Sequence, residues 1–505
     1  MERDVMKLGR ILRLVYVAAV LAAFAASPVV FSRAWAEDDA QQFVREIKLF
    51  DVVANYVRLS YVKEVDPQTL IQDAIRGMLS GLDEHTTFLD ADDFRLLLNE
   101  TEGSFGGLGI EIAVTPEDQT LTVMNVLEGT PAERAGLRAR DKIVEIDGES
   151  TKGITTRDAL LKMRGEPGTD IELGIARKGY ADQLDFKITR ELIHVDSVPY
   201  SFMASNDVGY VRVANFARDE ERSTAKDADR ALAALKEAGA EKFIIDLRGN
   251  PGGPLDEAVA LASLFLKKGS LVVYTAGRSH RWEKRQYFVE GEPKYKDEPL
   301  VLLIDGSSAS ASEVFTGALK DHKRAVVMGE KSYGKASVQT LIPLAAAADV
   351  SPGPGLKITI AYYYTPNGQL IDGVGIEPDV PLKEEDIPLV VGKLFVLGYF
   401  RMFAEDYHDA HGGAAVADFE ADAAAFDEFV AWVDKRGFDF YPEGYAETLP
   451  DKGRQFYLAA IRDKREAVMT MLTREVIREI EGDAEAYKYW RQHDPWLGDA
   501  VKQLS

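Results

Sequence analysis

The sequence predicts a multidomain α/β protein with helical segments at both ends. Three observations carry that reading. Between residues 194 and 382, apolar runs such as Phe243-Ile244-Ile245 and Leu300-Val301-Leu302-Leu303-Ile304 are each followed by a glycine- or serine-rich turn and then by residues at helical spacing. That is how strands buried on both faces feed helices. Between 101 and 193, short runs of alternating polarity are set off by glycine turns, which is the pattern of a small β-rich domain. From 383 to 505, aromatic residues recur at helical spacing amid dense charge. A chain of 505 residues, 46% hydrophobic and 28% charged, is long enough for several ordinary globular cores.

The first segment has a different character. Arg3, Lys7, Arg10 and Arg13 precede an apolar run from Leu14 to Ala26, and Ala34-Trp35-Ala36 places small residues before a potential cut. We read residues 1–36 as a secretory signal peptide that delivers the rest to a periplasm. The alternative is an uncleaved anchor, because the apolar stretch extends to Phe31. The absence of cysteine means that no disulfide supports the exported chain. A net charge of −23 with no basic stripe argues against generic binding to nucleic acid or anionic lipid.

Residues 38–100 read as helical. One apolar stripe runs through Phe43, Ile47, Leu49, Phe50, Val53 and Tyr56, and a second through Leu70, Ile71, Ala74, Met78 and Leu79. Short helices without a core of their own point to docking or dimerisation. Leu82-Asp83-Glu84-His85-Thr86 reads as a turn, with His85 structural.

The β-rich domain, 101–193, opens on Gly103, Gly106, Gly107 and Gly109. Strands are expected at 108–114, 121–126, 141–146 and 171–175, with helices at 131–135 and 156–163. In this order the pieces resemble a PDZ domain, with Gly107-Leu108-Gly109-Ile110 as its carboxylate-binding loop. Glycines there let successive N–H groups point at one anion, and the strand that follows can accept a peptide along its edge.

In the α/β core, 194–382, two glycine- or serine-rich turns feed helix N-termini. One is Arg248-Gly249-Asn250-Pro251-Gly252-Gly253. The other is Gly306-Ser307-Ser308-Ala309-Ser310-Ala311-Ser312-Glu313. If they face each other, their amides form an oxyanion hole. Ser310 lies between a strand end and a helix start, and Lys335 follows in Ser332-Tyr333-Gly334-Lys335-Ala336-Ser337-Val338-Gln339. A serine hydroxyl is a poor nucleophile until a neighbour takes its proton, and a lysine amine does so only when unprotonated. The run 335–339 reads as extended, so period-two geometry puts Lys335, Ser337 and Gln339 on one face, where Gln339 would orient the amine.

Other readings compete. A Ser/Ala-rich run is also ordinary loop composition, and lysines are mostly surface charges. Gly329 to Lys335 matches the first positions of a P-loop, yet Ala336 stands where the magnesium-binding hydroxyl belongs and no long helix follows. His322 lies in the hydrophilic turn Lys320-Asp321-His322-Lys323-Arg324 and reads as exposed.

The extension, 383–505, reads as a helical packing, oligomerisation or adaptor-docking module without chemistry of its own. Phe419, Phe426, Phe429, Trp432 and Phe438 supply its core, and 457–480 reads as one long amphipathic helix.

From about residue 40 to 382 the chain resembles the carboxyl-terminal processing peptidases, or tail-specific proteases. The carrying segments are Leu82 to Leu89, the PDZ loop, Asp246 to Gly253, Ser308 to Glu313, Tyr333 to Gln339 and Tyr363-Tyr364-Thr365-Pro366-Asn367-Gly368, in the family's order. The resemblance implies a Ser-Lys dyad serine endopeptidase that needs no metal or cofactor. It assigns Ser310 as nucleophile, Lys335 as general base and Gln339 as the residue that positions the lysine. The oxyanion hole maps to the amide of Ala311 and one from Gly252 or Gly253, and Arg164 to an arginine coupling PDZ occupancy to the active site. Two positions depart from the common pattern: Tyr362 stands where many members have a basic residue, and Ala336 replaces a frequent glycine. Unstructured protein C-termini are the implied substrates. A lipoprotein adaptor and a homo-oligomer are the implied partners, and the enzyme is either constitutive or latent until activated. The rival is a PDZ scaffold on a degenerate core, which should have lost Ser310, Lys335 or Gln339.

Overall fold

The computed structural model describes residues 41–505 apart from 103, 116–118, 128, 178, 195, 219–222, 279–283, 345–352, 384–386, 412–418, 420–423, 437 and 439–449. The expected signal peptide lies outside the described residues. The described residues form two units, one ending at Phe88 and one beginning at Leu89.

In the first unit a helix spans 41–60 and a second Pro67–Ser80. The second starts at Asp66, whose carboxylate accepts the amide of Thr69 at 2.8 Å, with Pro67 pre-set in its first turn. The turn expected at 82–86 is present. Asp83 accepts the amides of His85 and Thr86 and the hydroxyl of Thr86, which places His85 in the turn. Phe43, Ile47, Phe50, Val53 and Tyr56 on the first helix are all exposed.

The second unit contains the remaining domains. In the glycine-opened domain the strands Ile110–Val114, Leu121–Val126, Lys142–Ile146, Asp170–Ala176 and Leu184–Thr189 form an antiparallel sheet in that order, with helices Pro131–Ala135 and Thr156–Met163. Alternate residues Leu121, Val123, Ile171, Leu173 and Ile175 pack against Ala159 and Met163, as period-two patterning requires. Gly109 has φ +80, and a Cβ there would lie 2.3 Å from Thr130, so only glycine fits.

The α/β core is a six-stranded sheet in the order Tyr200–Met203, Val208–Arg212, Lys242–Asp246, Leu300–Ile304, Val326–Gly329, Val380–Pro381. The first pair is antiparallel and the others are parallel. Phe243, Ile245, Leu300, Leu302 and Ile304 point to helices Thr224–Glu237, Leu255–Ser263 and Ala311–Asp321. Ile244, Val301, Leu303 and Met328 point the other way, onto Tyr487, Leu497 and Ala500. The chain's last two helices therefore cover the second face of this sheet. A second sheet pairs Leu271–Ala276 with Arg285–Phe288 and Gly355–Tyr364, and the last of these with Ser337–Pro343.

Within the extension, helices Leu389–Val396, Tyr399–Ala410, Ala425–Arg436, Pro450–Asp463 and Arg465–Glu481 enclose an aromatic core of Phe400, Phe403, Phe419, Phe426, Phe429 and Phe438. The single helix expected at 457–480 is two helices that meet at Lys464 (φ −105, ψ 31). The break lets Tyr457 and Ile461 before it, and Val468, Leu472 and Val476 after it, reach the same core. An unbroken helix would drift off that face.

Candidate active site

Ser310 ends the turn that follows Leu300–Ile304 and immediately precedes helix Ala311–Asp321. Its backbone is held at φ 56 and ψ −114, a conformation that costs a side-chain-bearing residue of order 1–3 kcal/mol. A sharp strand-to-helix turn of this kind lifts a serine hydroxyl to the end of a sheet. The neighbours impose the strain. Ala309 N–H and Ser312 Oγ each donate to the Asn250 carbonyl at 3.0 Å, and Ser308 Oγ donates to the Leu247 carbonyl at 2.9 Å. The two turns expected to face each other are thus laced together.

Which glycine abuts the serine is decided by close approach. A Cβ on Gly252 would lie 2.7 Å from Ser310 Cβ and 2.9 Å from Ala311 N, whereas one on Gly253 would strike the Phe216 carbonyl at 1.9 Å. Both sit at positive φ, +100 and +149. The N–H of Gly252 is already donated to Asn250 Oδ1 at 2.9 Å. Among the described residues the amides of Gly253 and Ala311 have no acceptor. Ala311 is the first residue of its helix, so its N–H is one that no intrahelical carbonyl can reach.

Glu313 ties this turn to the segment carrying Lys335. Its buried carboxylate accepts four hydrogen bonds: Oε2 takes the amides of Ser310 and Lys335, both at 2.8 Å, and Oε1 takes the Gly334 amide at 2.7 Å and Ser332 Oγ at 2.6 Å. One oxygen thus sets the backbone nitrogens of residues 310 and 335 within two hydrogen-bond lengths of each other. Burial pushes the Glu313 carboxyl above its ordinary range, and the four donors offset only part of that rise.

Lys335 is half-buried. Among the described residues its ammonium makes no ion pair and no hydrogen bond to Ser310 Oγ. The strand begins at Ser337 and not at Lys335, and its pairing shifts register between Val338 and Gln339. The extra residue at that shift is Ile360 of the partner strand, so Ser337 and Gln339 keep one face, while Lys335 lies before the strand. Gln339 Nε2 donates to Ser337 Oγ at 2.7 Å and Thr359 Oγ1 at 3.3 Å, with no hydrogen bond to Lys335 among the described residues. The loop from 329 to 335 runs into this strand, not into a helix, which removes the P-loop reading. His322 is exposed, and its Nε2 lies 2.7 Å from the Leu271 carbonyl.

A cavity of ≈ 790 Å³ runs along the glycine-opened domain. Gly107, Leu108, Gly109 and Ile110 line it, together with Leu160, Met163 and Arg164 from the end of helix Thr156–Met163. Ala214 and Asn215 also line it, just before Phe216, whose N–H donates to the Gly252 carbonyl at 2.9 Å.

Residues 207–382 match the model of peptidase family S41, and 122–177 match that of the PDZ domain. The carboxy-terminal-processing protease of Bartonella bacilliformis is 38% identical over 366 residues, covering 71% of this chain and 80% of that one. The chain belongs to the carboxyl-terminal processing peptidases. The Bacillus subtilis carboxy-terminal processing protease CtpB is 34% identical over 342 residues, 67% of each chain. Among solved structures, the photosystem II D1 C-terminal processing protease is 31% identical and covers 67% of this chain and 88% of that one, at a TM-score of 0.40. The peptidase is a serine protease with a PDZ domain, as its sequence implies.

Two groups around the peptidase site escape sequence reasoning. Glu313 was visible only as the third residue of a helix, and nothing local says that it reaches across to Lys335. Asp246 closes strand Lys242–Asp246 and is fully buried. Its carboxylate accepts Arg248 Nη2 at 2.6 Å and Tyr210 Oη at 2.7 Å. Burial pushes its carboxyl up, but Arg248, Arg491 and Arg212 outweigh that and hold it well below the ordinary range.

Proposed function

We propose that the peptidase cuts protein C-termini by a Ser310–Lys335 dyad. The observation that carries this is the Glu313 carboxylate shared by the amides of both residues. Neutral Lys335 takes the Ser310 hydroxyl proton as Oγ attacks the scissile carbonyl, then returns it to the leaving amine, and water releases the acyl group. Gly253 and Ala311, whose amides have no acceptor among the described residues, stabilise the oxyanion. Gly252 shapes the wall instead. The substrate enters as an unstructured tail whose carboxylate meets the loop 107–110, and the cavity leads its upstream residues toward Phe216 and the Gly252–Gly253 turn. Arg164, which lines the groove, couples occupancy to the core.

Export to the periplasm, an adaptor lipoprotein and self-assembly complete this reading. The lack of a Ser310–Lys335 hydrogen bond, with Gln339 engaged by Ser337 and Thr359, supports a resting form in which substrate or partner tightens the dyad. Turnover of unfolded casein by wild type, Ser310→Ala and Lys335→Ala is the test. Loss of turnover in both variants is expected. Wild-type cleavage by either one would falsify the dyad.

A further inference from the structure

The extension is not one module. The helices described between 389 and 481 enclose their own aromatic core, whereas Asp483–Gln492 and Pro495–Leu504 close the back of the peptidase sheet. At that seam six side chains form a closed ring. Asp246 accepts Arg248 Nη2 at 2.6 Å, and the same nitrogen contacts Asp494 Oδ2 at 2.6 Å. Asp494 Oδ2 also accepts Arg491 Nη1 at 3.0 Å, and Arg491 Nε donates to Tyr487 Oη at 2.9 Å. The Tyr487 and Tyr210 hydroxyls share a hydrogen bond at 2.9 Å, and Tyr210 donates to Asp246, closing the circle. Three members come from the core and three from the end of the chain.

The ring bears on the loop beside Ser310. Arg248 begins the segment that continues through Asn250 to Gly252 and Gly253. Its side chain is clamped on one side by Asp246 and on the other by Asp494, with Trp496 beneath it at 5.3 Å. Arg248, Arg491 and Arg212 are all largely buried, at 11–13% side-chain exposure. Without the charge of Asp494, three guanidinium groups would face the single carboxylate of Asp246. Uncompensated charge of that kind displaces whatever carries it, and here that is the start of the 248–253 loop.

We propose that Asp494, acting through Arg248, is a positioning residue for the oxyanion loop, so that the chain's own C-terminal helix pair is part of the catalytic apparatus. This rests on the reading of Gly253 and Ala311 as oxyanion donors. Asp494→Asn is a sharp probe. Oδ1 accepts the Trp496 amide that caps the last helix, while Oδ2 faces both arginines, so asparagine keeps the cap and removes the charge.

In the full chain, with unfolded casein as substrate, Asp494→Asn should lower kcat at least tenfold and leave KM within twofold. Arg248→Gln combined with it should be no slower than Arg248→Gln alone, because both act through one contact. Asp499→Asn, which breaks only an exposed pair with Lys502, should match wild type. Tyr487→Phe opens the ring on its other side without changing charge and should cost kcat about threefold. It serves if Asp494→Asn does not fold. Wild-type kcat in both Asp494→Asn and Tyr487→Phe, or losses that multiply with Arg248→Gln, overturn the proposal. Hydrogen exchange of amides 249–253 separates this idea from the dyad reading. Faster exchange in Asp494→Asn supports the coupling even if Ser310→Ala proved active, and unchanged exchange removes it.

Discussion

Replacing Glu313 by glutamine tests the geometry most directly. Each oxygen of the carboxylate accepts two hydrogen bonds, so whichever one becomes an amide nitrogen confronts two donors with a donor. A hydrogen bond to a charged acceptor contributes about 1.5–3 kcal/mol. Losing two, less what is regained by not burying a charge, should cost about 3 kcal/mol. For a domain of this size that lowers Tm by about 6–12 °C. The catalytic effect should be larger than stability alone explains, because the same group fixes the strained Ser310 backbone and the Lys335 amide. A displacement of about 1 Å between reacting groups costs about 100-fold in rate. Thermal unfolding and casein turnover of the full chain, both measured at a temperature where the variant is folded, read the two effects separately. Glu313→Asp should fail similarly, being too short to reach both loops. A Glu313→Gln enzyme with wild-type kcat and the expected drop in Tm would reduce Glu313 to a packing group, and one with neither change would refute the four-bond description.

Gly252→Ala should retain the fold at a cost of about 1–3 kcal/mol from its left-handed backbone and lose activity about 100-fold, since the new methyl meets Ser310 Cβ at 2.7 Å. Near-normal turnover would show that this approach is irrelevant. Leu160→Asp puts a carboxylate in the PDZ groove and should raise KM about tenfold or more with kcat intact; fluorescence anisotropy of a labelled C-terminal peptide checks the binding directly. Asp246 has a depressed carboxyl pKa, so its stabilising contribution is full above its unfolded value of about 3.9 and fades as pH falls through the lower folded value. Wild type should therefore lose Tm steeply in acid below about pH 4, while Asp246→Asn should start less stable at neutral pH and fall more gently; parallel curves would contradict the assignment.

Much of the fold was legible because it is local. Helices Pro131–Ala135 and Thr156–Met163 and strands Leu121–Val126 and Leu300–Ile304 lie where periodicity and turn residues place them. Ser310, Lys335 and the two facing turns were legible for the same reason: a hydroxyl between a strand end and a helix start is a pattern of adjacent residues. Alternation puts Ser337 and Gln339 together, as their hydrogen bond shows, but Lys335 precedes the strand, so its place relative to Gln339 depends on a loop that periodicity does not describe. The helix break at Lys464 is similar, since only the shared aromatic core demands it.

By itself the sequence determined which segments are strands, helices and glycine turns, and that a serine stands between a strand end and a helix start, because those properties follow from residues close in the chain. Tertiary structure alone decided that Glu313 bridges 310 and 335, that Gly252 and not Gly253 abuts the serine, and that residues 483–504 back the peptidase sheet. The continuous apolar strand 300–304 announces two buried faces, but burial is satisfied by any apolar partner. Which helix supplies it, and which carboxylate then meets Arg248, is fixed only when distant segments compete for the same surface.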